Sequence, residues 1–472
     1  MDKAIRHAVD IFDGAVGYDG TAVAVKDRKA LTRPAMDRLV RQAVFGATAE
    51  MRDAARWLVW ELAQVAGCRP ASIQGLYEAR GRGACGGFTV PAMNLRVIAY
   101  DSARAVFRAL KQRKAGAFLC EIARSEMAYT DQRPAEYTTV VLAAALREGF
   151  DGPVFVQGDH FQVNAAKYKA GPEAELQAMR ALIDEATTAG FFNIDIDTST
   201  LVDLSFPTLD EQQRDNYARA AELTAYVRKR EPKGVTISVG GEIGEVGGKN
   251  STVEELRAFM GGYNRSLAAM GAYTGLSKIS VQTGTSHGGV VLPDGSIAQV
   301  KLDLNALRAL SEEATGSYQL AGAVQHGAST LPEDAFGNFP RYGACEIHLA
   351  TNFQNIVFDH PALPANLRAE LRAWVIENCA SERKPSDTEE QFLYKSRKKA
   401  IGPYKAALWD LPAEIKEQVC GDLEKRFGFL FDQLNIADTA GLAARHVRAT
   451  ALRHAAPRPA TQAAPDDAQA GE

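Results

Sequence analysis

The chain has 472 residues, 46% of them hydrophobic, and its 54 basic and 58 acidic side chains leave a formal net charge of −4. That is ample apolar material for a large core and more length than a single α/β barrel of roughly 250 residues consumes, so extensions are expected. The near balance of charge gives no support to a nucleic-acid or membrane-surface role, and no apolar run approaches the ~20 residues that span a bilayer.

The six cysteines, Cys68, Cys85, Cys120, Cys345, Cys379 and Cys420, form no CxxC pair and no close cluster. This is neither a disulfide framework nor a zinc knuckle, and a reducing cytoplasm is the simplest setting. The N-terminal stretch MDKAIRHAVDIFDG lacks the unbroken apolar core of a signal peptide. The expectation is a cytoplasmic protein.

Residues 1–85 read as a helical extension. In MDRLVRQAVFGATAEMRDAARWLVWELAQVAG the apolar residues recur at helical spacing, which predicts a helical hairpin or small bundle with Trp57 and Trp60 in the core or at an interface. The glycine-rich ARGRGACGG (79–87) then reads as a hinge. From 86 to 362 short β-rich runs alternate with longer amphipathic ones. The strand candidates are FTVPAMN (88–94), AFLCEI (117–122), VFVQG (154–158), FNIDID (192–197), VTISVG (235–240), KISVQT (278–283), LAGAVQ (320–325) and CEIHLA (345–350). Eight β/α units in a row predict a closed (β/α)8 TIM barrel, with strands apolar on both faces. A doubly wound open sheet usually carries GxGxxG after its first strand, and FTVPAMNLRV has none. Residues 363–453 read as a C-terminal helical extension, and the Pro/Ala-rich 454–472 as a disordered tail.

Barrel enzymes place reacting groups after the C-terminal ends of strands. Reading those positions gives Asp159 and His160 after strand 3, Asp197 at strand 4, Glu242 after strand 5, His287 after strand 6, His326 after strand 7 and Asn352 after strand 8. Three of the chain's eight histidines thus follow barrel strands. One histidine at a strand end is more often a hydrogen-bonded structural residue. Three that converge, joined by Asp159 and Glu242, suit a catalytic zinc with an open coordination position. Glu245 reads either as a carboxylate supplied to the site or as a loop acid facing water, and His348 and His360 as structural. Lys278, at the start of strand 6, is too shallow for a Schiff base and reads as a structural or solvated residue. The basic run from Lys395 to Lys399 reads as a solvated helix face, with a smaller chance that it meets a phosphate or a partner.

The runs FTVPAMN, VFVQGDH, NIDIDTS, GEIGEVGG, GTSHGGV, QHGAS and ATNFQN, in that order from about Gly86 to His360, resemble the class II fructose-bisphosphate and tagatose-bisphosphate aldolases. The resemblance implies a divalent metal, usually zinc, on His160, His287 and His326. It implies Asp159 as the group that moves the hydroxyl proton, Glu242 as a glutamate ordering the site, and Asn352 as the contact to the enediolate. Gly288, Gly327 and Ser329 would hold a phosphate and a monovalent cation, and Asp197 would fix a metal ligand from behind. After His326 the family usually has Gly-Gly-Ser or Gly-Gly-Thr where this chain has Gly327-Ala328-Ser329, and Phe353-Gln354-Asn355 replaces its usual Asp-Thr after the asparagine. The implied reaction is cleavage of a phosphorylated ketose, by default fructose 1,6-bisphosphate, to dihydroxyacetone phosphate and an aldehyde, in a homo-oligomer. Three other readings stay open: an aldolase for tagatose 1,6-bisphosphate or another sugar phosphate, a non-catalytic barrel that stabilises a partner aldolase, and a Schiff-base aldolase.

Overall fold

The computed structural model describes residues 1–244, 249–284, 292 and 302–457. Each of the eight expected runs overlaps a strand of one closed parallel barrel, the second, third and fifth strands running past the expected ends. These are β1 (Val90–Asn94), β2 (Leu119–Ala123), β3 (Val156–Gln162), β4 (Asn193–Asp197), β5 (Ser238–Glu242), β6 (Lys278–Val281), β7 (Ala323–Gln325) and β8 (Glu346–Leu349). Neighbours pair in chain order, and β8 closes on β1 from Glu346 opposite Val90 to Leu349 opposite Met93. Most strands are buried throughout, as a sheet covered by helices outside and side chains inside requires.

Local sequence sets the helices between strands. Pro134 and Pro172 open two of them at the first position, where a missing N–H costs nothing. Thr252 and Glu255 form a reciprocal capping box at the start of Val253–Met270. In β3 the pairing with β4 shifts register between Gly158 and Phe161, and His160 within that bulge takes φ 39°. A bulge of this kind re-aims the side chains it carries.

The region before the barrel is mostly helical, with helices Pro34–Phe45 and Ala49–Ala66 where the hairpin was expected, plus a small antiparallel pair, Val16–Tyr18 with Val23–Val25. The stretch read as a hinge is instead part of a clamp. Helix Gln74–Gly81 closes the N-terminal end of the barrel, and the buried Arg80 guanidinium donates to the carbonyls of Ala321 (2.8 Å), Ala344 (3.0 Å), Gly343 (3.1 Å) and Phe88. A Cβ on Gly81 would lie 2.0 Å from the Gln319 carbonyl oxygen, so the glycine serves close approach here.

The C-terminal helices return to the barrel. Ala413–Gln433 packs along Ala99–Gln112, with Arg108 donating to Glu424 at 2.6 Å. The chain then crosses the N-terminal helices. Trp60 Nε1 donates to the Leu452 carbonyl at 2.7 Å, and the His454 ring, at the start of the stretch expected to be disordered, stacks on Trp60 at 4.1 Å. Residues 458–472 lie outside the described residues. No helix among the described residues is long and apolar enough to cross a membrane.

Candidate active site

A cavity of about 850 Å³ opens at the C-terminal ends of the strands. Its floor carries Asp159, His160, Glu242, His326 and His348, and its walls include Gly327 and Ser329. The β3 bulge turns the His160 ring so that Nδ1 meets Asp197 Oδ2 at 2.9 Å and Glu242 Oε2 at 3.4 Å. Asp197 is itself fixed, accepting from Gln162 Nε2 at 2.6 Å and from Ser199 Oγ at 2.7 Å. This arrangement sets the tautomer, so that the Nε2 lone pair of His160 is the one a cation would meet. The His326 ring lies between those of His160 and His348, with centroids at 4.3 Å and 4.0 Å. Its Nε2 is 3.0 Å from Ser280 Oγ.

Donor atoms of His160, Glu242 and His326 all lie within 4.8 Å of one another, as do those of Asp159, His326 and His348. Imidazoles and carboxylates at that separation suit a divalent metal of the zinc class. His287 and Gly288 lie outside the described residues, as does Glu245. Asn352 is on the first turn of helix Thr351–Phe358; Thr351 and Gln354 of that helix line the cavity, and Asn352 does not. The strand-8 side chain that reaches the floor is His348.

His348 was read as structural, and its surroundings give it more. Nδ1 sits 3.0 Å from Asp159 Oδ1 and 3.1 Å from Glu121 Oε2, while Nε2 sits 2.6 Å from Glu346 Oε1. Below it Lys278, fully buried, places Nζ 2.5 Å from Glu346 Oε1, 2.9 Å from Asp195 Oδ1 and 2.8 Å from Gln157 Oε1. The Tyr77 hydroxyl donates to Glu346 from the closing helix. A column of polar groups therefore runs through the barrel interior from Tyr77 to Asp159. Gly240 leaves room for it, since a Cβ there would lie 2.3 Å from Asp195 Oδ1. Lys278 is committed to this column, in keeping with the structural role read for it.

The carboxylates dominate the electrostatics. Burial works against charge on His160, but Asp159, Asp197 and Glu242 overcome it and raise the imidazole well above its usual range. Burial likewise opposes charge on His348, and Glu121 and Asp159 raise it well above that range. Burial, reinforced by Asp197, pushes Glu242 up to about 8. Against burial, Lys278 and His348 hold Glu346 down at about 2.

No curated protein matches the chain in sequence. Among solved structures, a probable tagatose 6 phosphate kinase from Sinorhizobium meliloti 1021 superimposes with a TM-score of 0.52 at 18% identity, covering 75% of this chain and 100% of that one. A fructose-bisphosphate aldolase from Campylobacter jejuni gives 0.45 at 17%, covering 79% and 98%. The fructuronate-tagaturonate epimerase from Cohnella laeviribosi gives 0.48 at 12%, covering 74% and 82%. At such identities the likeness speaks for the fold alone. The model of the class-II fructose-bisphosphate aldolases is more specific. It matches residues 81–401, a span that takes in all eight strands, the β3 bulge and the cavity floor, and the chain belongs to that family.

Proposed function

We propose that the protein is a metal-dependent aldolase that reversibly cleaves a phosphorylated ketose to dihydroxyacetone phosphate and an aldehyde, with fructose 1,6-bisphosphate as the default substrate. The observation that carries this reading is the convergence of Asp159, His160, Glu242 and His326 on one cavity floor. His160 and His326 would hold a divalent ion, zinc by default, with Glu242 beside them; His287 completes the set in our reading. When bound, such an ion supplies Lewis-acid stabilisation of charge on the carbonyl and neighbouring hydroxyl oxygens.

The chain's own groups then have distinct tasks. Asp159 takes the proton from the hydroxyl on the carbon that becomes the aldehyde, and the C–C bond opens toward the ketone. In condensation it returns that proton. His348, 3.0 Å from Asp159 Oδ1, holds this carboxylate in orientation. Asp197 keeps His160 turned toward the floor. The Gly327 turn at φ 67° and Ser329 face the same cavity and suit the phosphate of the ketone half. Buried as it is, the floor favours fixed protein groups over water around the developing charge.

The reverse half-reaction gives a clean test. Metal-loaded protein in D₂O should exchange a carbon-bound proton of dihydroxyacetone phosphate without added aldehyde, followed by proton NMR. Asp159→Ala should slow retro-aldol turnover by about 10²–10⁴-fold, as expected for loss of a positioned acid–base group, and spare the exchange, which involves no aldehyde hydroxyl. Retro-aldol turnover at the full rate in Asp159→Ala would remove Asp159 from its role.

A further inference from the structure

Of the side chains that line the cavity, Lys395 and Lys398 come from outside the barrel, on helix Glu389–Ser396 and the turn Arg397–Ala400. Glu121 comes from inside it, on β2, and is fully buried. The chemistry proposed above does not call on Glu121. A carboxylate in such a place costs desolvation unless donors compensate it, and here the donors converge on one oxygen. Oε2 accepts from Gln157 Nε2 at 3.0 Å and lies 3.1 Å from His348 Nδ1. Oε1 is buried and has no hydrogen-bond partner among the described residues.

The carboxylate is therefore oriented through Oε2, and the mobile group it grips is His348. Gln157, opposite Glu121 in the β2–β3 pairing, is itself fixed. It also donates to Glu346 Oε1 at 2.9 Å, and its own Oε1 accepts from Lys278 Nζ at 2.8 Å. His348 Nδ1 thus faces two carboxylates at nearly one distance, Glu121 Oε2 at 3.1 Å and Asp159 Oδ1 at 3.0 Å, while Nε2 faces Glu346. Both ring nitrogens meet carboxylates, so both carry N–H, and the Nδ1 proton is shared. Turnover asks different things of the two carboxylates. Asp159 takes and returns a proton, and while it carries that proton its pull on the N–H weakens. Glu121 transfers nothing and keeps its hold.

We infer that Glu121 is a positioning residue: through Oε2 it fixes the His348 ring, so that Nδ1–H stays aimed at Asp159 Oδ1 throughout the reaction. The inference rests on the aldolase reading for the task of Asp159 and not for the geometry. A base held in this way is not re-oriented at each turnover, and a displacement of about 1 Å at such a group can cost about 10²-fold in rate.

Two conservative variants separate position from charge. Glu121→Gln loses the charge and keeps the reach. Its carbonyl oxygen can take the place of Oε2, and its NH₂ then falls at Oε1, where no donor stands among the described residues. Glu121→Asp keeps the charge but, one methylene shorter, draws back from Nδ1. In the metal-loaded full chain, retro-aldol kcat should stay near the parent's in Glu121→Gln and fall about 10–100-fold in Glu121→Asp, with KM and zinc content unchanged in both. The opposite order would show that Glu121 supplies charge rather than position. That order, or kcat equal in the two variants, would overturn the proposal. A second readout needs no turnover. In Asp159→Ala, Glu121 is the carboxylate left at Nδ1, so the His348 Nδ1 proton should persist in NMR of protein labelled at histidine nitrogen, and adding Glu121→Asp should abolish it. Loss of that proton in Asp159→Ala alone would overturn the proposal even if C–C cleavage were found, and its Glu121-dependent persistence would support the geometry even if cleavage were not.

Discussion

His160 adopts a backbone conformation that a β-strand residue rarely takes, at φ 39°, and it does so inside the β3 bulge. Such strain persists where surroundings over-determine it, and here Asp197 and Glu242 both engage the ring that the bulge turns inward. The same carboxylates favour the protonated imidazole, and burial lifts Glu242 to about 8. A metal requires lone pairs, so at pH 7 it must displace protons from this group of residues. Zinc binding should therefore release protons to the medium, and affinity should tighten as pH rises toward about 8. Calorimetry in two buffers of different ionisation enthalpy measures the release; binding that is independent of both buffer and pH would contradict it.

At the scale of the element, all eight strands were legible because apolar runs of strand length are what a two-sided burial demands. The placement of Asp159, His160, Glu242 and His326 at one cavity was legible too, since the C-terminal ends of barrel strands are where a barrel opens to its ligand. The groups inside the strands were harder to see. Glu121, Asp195 and Glu346 are acids within largely apolar runs, and only the closed barrel brings them together around Lys278 and His348. A signal did exist: Glu346 and His348 are two residues apart in CEIHLA, hence on one face of the strand. The run from Lys395 reads as a solvated face because sequence gives a helix without saying what its basic side covers. Lys278 joins β4, β6 and β8 through Asp195 and Glu346. Lys278→Met would leave those buried carboxylates uncompensated and should cost about 3–5 kcal/mol in urea unfolding. Glu346 gains its depressed value against burial from Lys278 and His348, so its share of stability is present above its ordinary 4.5 and lost as pH falls toward about 2. The variant's deficit should accordingly be largest near neutral pH and shrink as pH falls toward about 2, where the parent loses the same contribution; equal stability at pH 7 would show that the column tolerates an apolar core.

Taken whole, the molecule is a barrel gripped at both ends by its own extensions. Helix Gln74–Gly81 seals the N-terminal end, and helix Glu389–Ser396 stands at the cavity. The glycine-rich approach to the barrel suggested a hinge because sequence shows its glycines and not the Gln319 carbonyl that Gly81 approaches or the carbonyls that Arg80 binds. Arg80→Ala would take a donor from four carbonyls, of which Gly343 and Ala344 keep Ser311 Oγ and Thr89 Oγ1, and should destabilise the fold by about 3 kcal/mol, measured as a lower urea midpoint; an unchanged midpoint would mean that water replaces the guanidinium at no cost. The central claim, metal-dependent C–C cleavage on the cavity floor, is tested most directly by the cleavage of fructose 1,6-bisphosphate before and after EDTA, followed by zinc. Cleavage that EDTA abolishes and zinc restores is the predicted result. Cleavage that survives complete removal of the metal, or that borohydride trapping assigns to a lysine, would contradict it.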